Sequence, residues 1–578
     1  MWSENWRDAV WSQLDEPWDV VVIGGGITGA GLLRESARLG LRALLVEQHD
    51  FAWGTSSRSS KLVHGGLRYL ATGQLKLTWH SVREREHLLE DGPGLIDPLG
   101  FLMATHEGDH PGRWTYKAGL SLYDLMALQW THRYYTADEF QMLAPGMTSD
   151  GLEGGFRYGD AQTDDARLVL RVILEAVDDG GAALNYTRAA ALIRDEGGEV
   201  TGVRVEDRLS ERSAEVRARL VVNATGTWAD HLRGQVEGAA RIRPLRGSHL
   251  ILPGWRLPLA QAVAFLHPLD RRPVFVYPWE GVVLVGTTDI DHNADLDAEP
   301  GISPEEVAYL MAALAHQFPA QHITLDDVLA TYAGVRPVIG TGKDDPSKES
   351  REHAVWEENG LLTITGGKLT TFRLIALDAL RLMRHRLPDM PEPHDRHPVL
   401  NPVEAELPDV PGLDDERRRR LLGRYGAAAP ALVAAAAPGE LAYVPGTQTT
   451  WAEIRWAARA EGVAHLEDIM LRRTRLGLLL PGGGVGYLPR VRHICQPELG
   501  WDDARWQAEA DAYLDLWQRA YGLPERARIP DWHAMLQSAH ERRQQAASDD
   551  GGASGWWALV GVLLALAALL LRRRRARG

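Results

Sequence analysis

Trp18-Asp-Val-Val-Val-Ile-Gly-Gly-Gly-Ile-Thr-Gly-Ala-Gly31, running on to Leu44-Leu-Val-Glu47, decides the fold. Val20 to Ile23 is a short β-branched run, as expected of a strand buried on both faces. It feeds into Gly24-x-Gly26-x-x-Gly29, and Ala30 to Leu39 then reads as an amphipathic helix that ends at Gly40. Arg42 to Val46 forms a second strand closing on Glu47. Gly24 permits the tight turn, Gly26 lets backbone approach a pyrophosphate, and Gly29 lets the helix pack close to the strand. Glu47 lies near the spacing of about 20 residues expected of a carboxylate that holds a ribose hydroxyl. A lone glycine turn would explain the loop, but strand, loop, helix, strand and acid in register point to a dinucleotide site.

Similar pieces recur. Glu215 to Val222 reads as a strand that runs into Asn-Ala-Thr-Gly226, and Leu361 to Arg373 is again strand, glycine turn and helix start. Between them lie stretches of different character: short strands and aromatic loops over Phe101–Phe156, strand candidates at 246–253, 273–277 and 282–287, and a helix over Ser303–Gln317. The pattern predicts one nucleotide domain interrupted by insertions that build a substrate-side layer. From about Arg396 the chain turns to Ala-, Leu- and Arg-rich helices. The expected division is an N-terminal arm, 1–17; a discontinuous dinucleotide-binding domain, 18–95, 157–240 and 331–385; a substrate (cap) domain, 96–156 and 241–330; and a helical domain, 396–525.

At 578 residues, 45% hydrophobic and 24% charged, the chain has ample material for two or three cores. Its formal net charge of −15 argues against nucleic-acid binding. Cys495 is the single cysteine, so no internal disulfide or cysteine-based metal cluster forms, and no metal site is expected.

The two ends differ. Trp2, Trp6, Val10 and Leu14 recur at helical spacing, which suits either an arm packed on the first domain or an interfacial helix. At the other end, 536–555 reads as a linker whose Gly-rich part, Gln544–Gly555, is a flexible tether. Trp556–Leu571 follows as a hydrophobic anchor, and 572–578 is a basic tail. Sixteen helical residues span roughly 24 Å, somewhat short of a hydrocarbon core of about 30 Å. The expected location is the cytoplasmic membrane, with the catalytic domain on the cytoplasmic side. The tail's orientation stays open, because its arginines favour that same side.

Several runs together resemble the FAD-dependent glycerol-3-phosphate dehydrogenases. They are Gly24–Gly31, Ser59-Ser-Lys-Leu-Val-His-Gly-Gly-Leu-Arg-Tyr-Leu70, Val222–Gly226, Gly286-Thr-Thr-Asp289, Tyr332-Ala-Gly-Val-Arg-Pro337 and Gly366-Gly-Lys-Leu-Thr-Thr371. Thr450–Arg455 and Leu471-Arg-Arg-Thr-Arg-Leu-Gly477 echo the family's helical domain. The terminal apolar segment departs from its pattern. The resemblance implies an α/β, FAD-binding Rossmann-like fold of the glutathione-reductase/D-amino-acid-oxidase type, with an inserted β-rich substrate domain and an all-α C-terminal domain. It implies oxidation of sn-glycerol 3-phosphate to dihydroxyacetone phosphate, with hydride passing to flavin N5 and electrons onward to membrane quinone at a lipid bilayer. A homodimer is compatible with it. Two other readings remain: a same-fold oxidase that uses oxygen, and a non-catalytic, membrane-tethered nucleotide-binding protein.

By the same resemblance, Gly24, Gly26, Gly29 and Glu47 hold the ADP half of FAD, with Gly226 nearby. Ser56, Ser57, Lys61, Gly65 and Gly66 support pyrophosphate and isoalloxazine. Gly367, Leu369 and Thr370 open a helix aimed at the flavin. Arg68, Tyr69, Thr287, Thr288 and Arg351 would line the substrate pocket, with Arg336 and Lys368 nearest the reacting carbon. Guanidinium forks and an ammonium suit a phosphate dianion. His64 is the best chemical candidate for the base, since imidazole titrates near neutrality; a structural histidine beside the flavin is the alternative. Asp164 and Asp165 either touch the cofactor region or cap the following helix.

Overall fold

The computed structural model describes residues 2, 5–71, 73–107, 112–340 and 353–549. Two sheets organise it. The first has eight strands, six of them in the order Ala354–Glu358, Leu361–Thr365, Ser213–Asn223, Trp18–Ile23, Ala43–Val46, Ala182–Leu184. All neighbours in that row are parallel except the Ala354–Glu358/Leu361–Thr365 pair. Alternation along Trp18–Ile23 explains why this strand is central. Val20 and Val22 pack on one face with Leu33, Phe372 and Ile375, while Val21 and Ile23 pack on the other with Val203, Val205 and Leu232. Burying each such side chain contributes about 1.5–3 kcal/mol.

Gly29 sits in the helix Ile27–Arg38, and a Cβ there would lie 1.9 Å from the Gly24 carbonyl oxygen. The helix therefore crosses the strand end at a distance that only glycine permits. That brings its first N–H groups to the carboxyl ends of the parallel strands, the crevice where open α/β sheets bind ligands.

The second sheet has ten strands, mostly antiparallel, and is built around Ile242–Pro253, Ala330–Ile339, Val282–Gly286, Pro273–Trp279, Ile96–His106 and Leu152–Thr163. One face, with Leu102, Leu250, Leu252, Val283 and Val285, is covered by Val307, Leu310, Met311 and Leu314 of the helix Pro304–Gln317. Phe101, Tyr277, Trp279, Leu284 and Tyr332 of the other face share a core with Trp451, Ile469, Leu476 and Trp517 of the helical domain.

Some sequence-based boundaries move. Ala330–Ile339 and all of Leu152–Thr163 belong to the second sheet, although 331–385 and 157–240 were assigned to the nucleotide domain. Periodicity marks a strand, not the sheet it joins. Within 101–156 a helix, Arg113–Ala127, replaces the expected loops; buried Leu120, Tyr123 and Ala127 mark its inner face. Residues 536–549, expected in a linker, lie in the helix Trp532–Asp549. Its Ala, Gln, Glu and Arg residues are polar yet strong helix formers. The arm packs on the body: Trp2 is 4% exposed and stacks on Trp6 and Phe51, and Arg7 donates to the Asn185 carbonyl. Among the described residues no helix is long and apolar enough to cross a membrane. The candidate anchor 556–571, the basic tail 572–578 and Arg351 lie outside the described residues.

Candidate active site

One continuous cavity of about 3780 Å³ runs from Glu47, His49 and Thr187 past Gly24–Thr28 to Arg336 and Lys368. This exceeds the roughly 300–1,000 Å³ of an ordinary small-ligand pocket, and suits a long dinucleotide plus a substrate.

At the dinucleotide end, Gly24 takes φ +113° and would drive a Cβ to 2.6 Å from the Ala224 carbonyl oxygen. Gly26 is the N-cap of the helix Ile27–Arg38 and brings no capping side chain of its own. The Glu47 carboxylate accepts from the N–H groups of Gly25 (2.7 Å) and His49 (2.8 Å), which fixes the loop against the second strand. Burial pushes the Glu47 pKa up. The Ser56 hydroxyl accepts from Ile27 N–H at 3.0 Å, so the 54–60 segment folds over the helix N-terminus. Gly226, at φ +61°, lines the same wall.

At the far end, Gly366 and Gly367 both take positive φ, a double turn only glycine adopts without strain. Leu369 and Thr370 begin a 3₁₀ turn, and the α-helix itself starts later than expected, at Phe372. The Thr370 hydroxyl donates to the His64 carbonyl at 3.3 Å. Lys368 donates to the Ser81 hydroxyl at 3.0 Å and stands 3.7 Å over the Tyr69 ring. A Cβ on Gly66 would meet both side chains, so this glycine makes room for their convergence. Arg68 lies in the helix Leu67–Ala71, between the cavity-lining Leu67 and Tyr69.

Arg336 projects into the cavity from the second sheet. Its guanidinium donates to Asp289 (3.0 Å), the Thr287 hydroxyl (3.1 Å) and the Thr288 carbonyl (3.4 Å). Gly247, on the neighbouring strand, leaves the space it fills: a Cβ there would lie 2.2 Å from its nitrogen.

The cavity thus brings together Gly24, Gly26, Glu47, Ser56, Gly66, Gly226, Gly367, Leu369 and Thr370 with His64, Tyr69, Thr287, Arg336 and Lys368. Other expected residues stand behind it. Lys61 is 0% exposed, and its ammonium donates to the Ser57 carbonyl and to Asp165 instead of facing the pyrophosphate. Burial first, and Arg475 second, bring its pKa down to about 8. Ser57 and Gly65 are likewise buried behind the lining, and Gly65 N–H donates to Asp160 at 3.0 Å. Thr288, 2% exposed, turns away: its hydroxyl donates to Glu306 at 2.6 Å and accepts from Ser248 N–H. Asp164 caps the helix Asp165–Asp178 and pairs with Arg424 and Arg475, which accounts for it without the cofactor.

Sequence reading missed Gly247, Asp289, Ser81 and Asp160. Asp289 closes the quoted Gly-Thr-Thr-Asp run, and an interior strand glycine such as Gly247 is a recognised sign of close approach. Ser81 and Asp160 carry no local signal. Asp160 accepts from Arg85 (2.9 Å) and Gly65, and burial raises its pKa. His249, stacked on Tyr332 and 3.0 Å from the Ser60 hydroxyl, is held neutral because burial and Arg336 depress its pKa.

The helix start at Gly26, the Gly24–Gly29 approach, the Glu47 carboxylate and the paired left-handed glycines fit FAD laid along the first sheet's carboxyl edge. Fold and cradle define an FAD-dependent oxidoreductase. Residues 19–373 match the FAD dependent oxidoreductase family, and 393–506 match the C-terminal domain of alpha-glycerophosphate oxidase. Within that class, the chain belongs to the FAD-dependent glycerol-3-phosphate dehydrogenase family. It is 36% identical over 533 residues to glycerol-3-phosphate dehydrogenase 2 of Mycobacterium tuberculosis, spanning 88% of this chain and 89% of that relative. It is 40% identical over 379 residues to the aerobic glycerol-3-phosphate dehydrogenase of Staphylococcus haemolyticus, or 64% of this chain and 68% of that one. The structure of the glycerol-3-phosphate dehydrogenase from Bacillus halodurans complexed with FAD superposes with TM-score 0.71 at 27% identity, covering 89% of this chain and 98% of that one.

Proposed function

We propose that the protein oxidises the C2 hydroxyl of sn-glycerol 3-phosphate to the ketone of dihydroxyacetone phosphate and passes the electrons to a membrane quinone. The carrying observation is that Arg336 and Lys368 both line the cavity that contains the dinucleotide loop. FAD, when bound, supplies the two-electron acceptor. The protein's own residues do the rest. Arg336, held by Asp289 and Thr287, presents a fixed positive charge to the C2 oxygen as it loses its proton. Lys368, steadied by Ser81 and Tyr69, offers a point charge to the phosphate or the same oxygen. His64 lines the same cavity and is assigned the hydroxyl proton. Arg68, by its place in the motif, would be a third cation.

The quinone acceptor and the membrane location are supported by the apolar run 556–571 with its basic end, and by the aerobic name of the Staphylococcus relative. Membrane fractions of the expressing cell test both. Rapid quinone reduction with little peroxide is expected. Full turnover with oxygen alone, yielding stoichiometric peroxide, would make it an oxidase instead.

A further inference from the structure

Among the described residues none between 371 and 535 lines the cavity, so the helical domain touches neither cofactor nor substrate space directly. It nevertheless delivers three arginines to one place. The Leu471-Arg-Arg-Thr-Arg475 run leaves the π-helical turn Asp468–Arg473, and Arg472, Arg473 and Arg475 are each at most 2% exposed. Arg472 and Arg473 both reach Asp50, at 2.6 Å. Arg475 donates to the Ser57 carbonyl at 3.1 Å, to Asp164 at 3.0 Å and to Asp165.

Asp50 and Ser57 belong to one segment, 50–61, that lies on the dinucleotide loop, and Asp165 holds that segment's far end. Ala52 N–H donates to the Gly25 carbonyl at 3.0 Å, and the Ser56 hydroxyl accepts from Ile27 N–H. Asp165 closes the far end by accepting from Ser59 N–H, the Ser59 hydroxyl and Lys61. The arginine and Lys61 links are buried and mostly charge-assisted, and such bonds out of water are strong and directional.

We propose that Arg472, Arg473 and Arg475 form a clamp of positioning residues that sets segment 50–61 against the dinucleotide loop, making the helical domain part of the FAD-holding apparatus. The inference rests on FAD binding and not on the identity of the substrate.

FAD titration into full-length, deflavinated protein tests it, read by flavin fluorescence and the visible flavin spectrum. Arg475→Gln is expected to weaken FAD binding about tenfold or more, the scale of a lost charged hydrogen bond, and to alter the bound-flavin spectrum. Arg475→Lys, which keeps the charge but loses the fork, should recover part of that affinity, and it carries the test if the glutamine variant does not fold. Leu432→Ala, which opens a cavity in the helical domain's own core, is the control. It should lower the unfolding midpoint while leaving FAD affinity within about twofold. The clamp is wrong if Arg475→Gln and Arg475→Lys both bind FAD as wild type does, or if Leu432→Ala weakens FAD as much as Arg475→Gln. Wild-type protein that took up no FAD would instead overturn the cofactor assignment.

Discussion

Gly247→Ala is the most discriminating substitution in the site. The added Cβ would stand 2.2 Å from one Arg336 nitrogen and 2.6 Å from its Cζ, against 3.4 Å for ordinary contact. The guanidinium must therefore retreat by about 1.2 Å, enough to break its bonds to Asp289 at 3.0 Å and Thr287 at 3.1 Å. Alanine suits a strand interior at least as well as glycine, and the obstructing atoms end a flexible side chain, so stability should change by under about 1 kcal/mol. Losing a charged hydrogen bond in the transition state costs about 1.5–3 kcal/mol, or roughly 10- to 150-fold in kcat/KM. The assay is steady-state oxidation of glycerol 3-phosphate with a soluble dye, alongside Tm and flavin content. Activity within threefold of wild type, or loss of activity that tracks loss of flavin, would refute the role given to Arg336.

His64→Asn should lower kcat by about 10²–10⁴-fold and remove the acid limb of the kcat/KM pH profile; an unchanged profile makes His64 structural. Arg473 and Arg472 hold the Asp50 carboxylate at about 2, below its ordinary 3.8. A depressed acid stabilises the folded state fully above about pH 4, and that stability is lost as pH falls through 2. Denaturant unfolding should therefore lose stability across this window, and Asp50→Asn should flatten the slope. Deleting residues 553–578 should release the protein from membranes with dye-linked activity intact; a truncated protein that still pellets places the attachment elsewhere on the surface.

Much of this was legible in the sequence because local rules carry it. Strand Trp18–Ile23, the glycine loop and Glu47 obey short-range geometry, and the structure places them as their spacing predicts. The motif residues Tyr69, Arg336 and Lys368 do face one cavity. What stayed hidden depends on contacts distant in sequence. Lys61 reads as a phosphate ligand until Asp165, over a hundred residues on, claims its ammonium. Thr287 and Thr288 are adjacent and chemically alike, yet in the loop after strand Val282–Gly286 one hydroxyl meets Arg336 and the other Glu306. Ser81 and Gly247 matter only through partners that spacing cannot reveal.

The most direct measurement is anaerobic flavin bleaching, followed at roughly 450 nm, on adding glycerol 3-phosphate, glycerol or an amino acid to the purified protein. Prompt bleaching by glycerol 3-phosphate alone is predicted, because Lys368 offers its charge to the phosphate while Arg336 is held for the C2 oxygen. Bleaching by glycerol or by an amino acid at the same rate, or no bleaching by glycerol 3-phosphate, would contradict it.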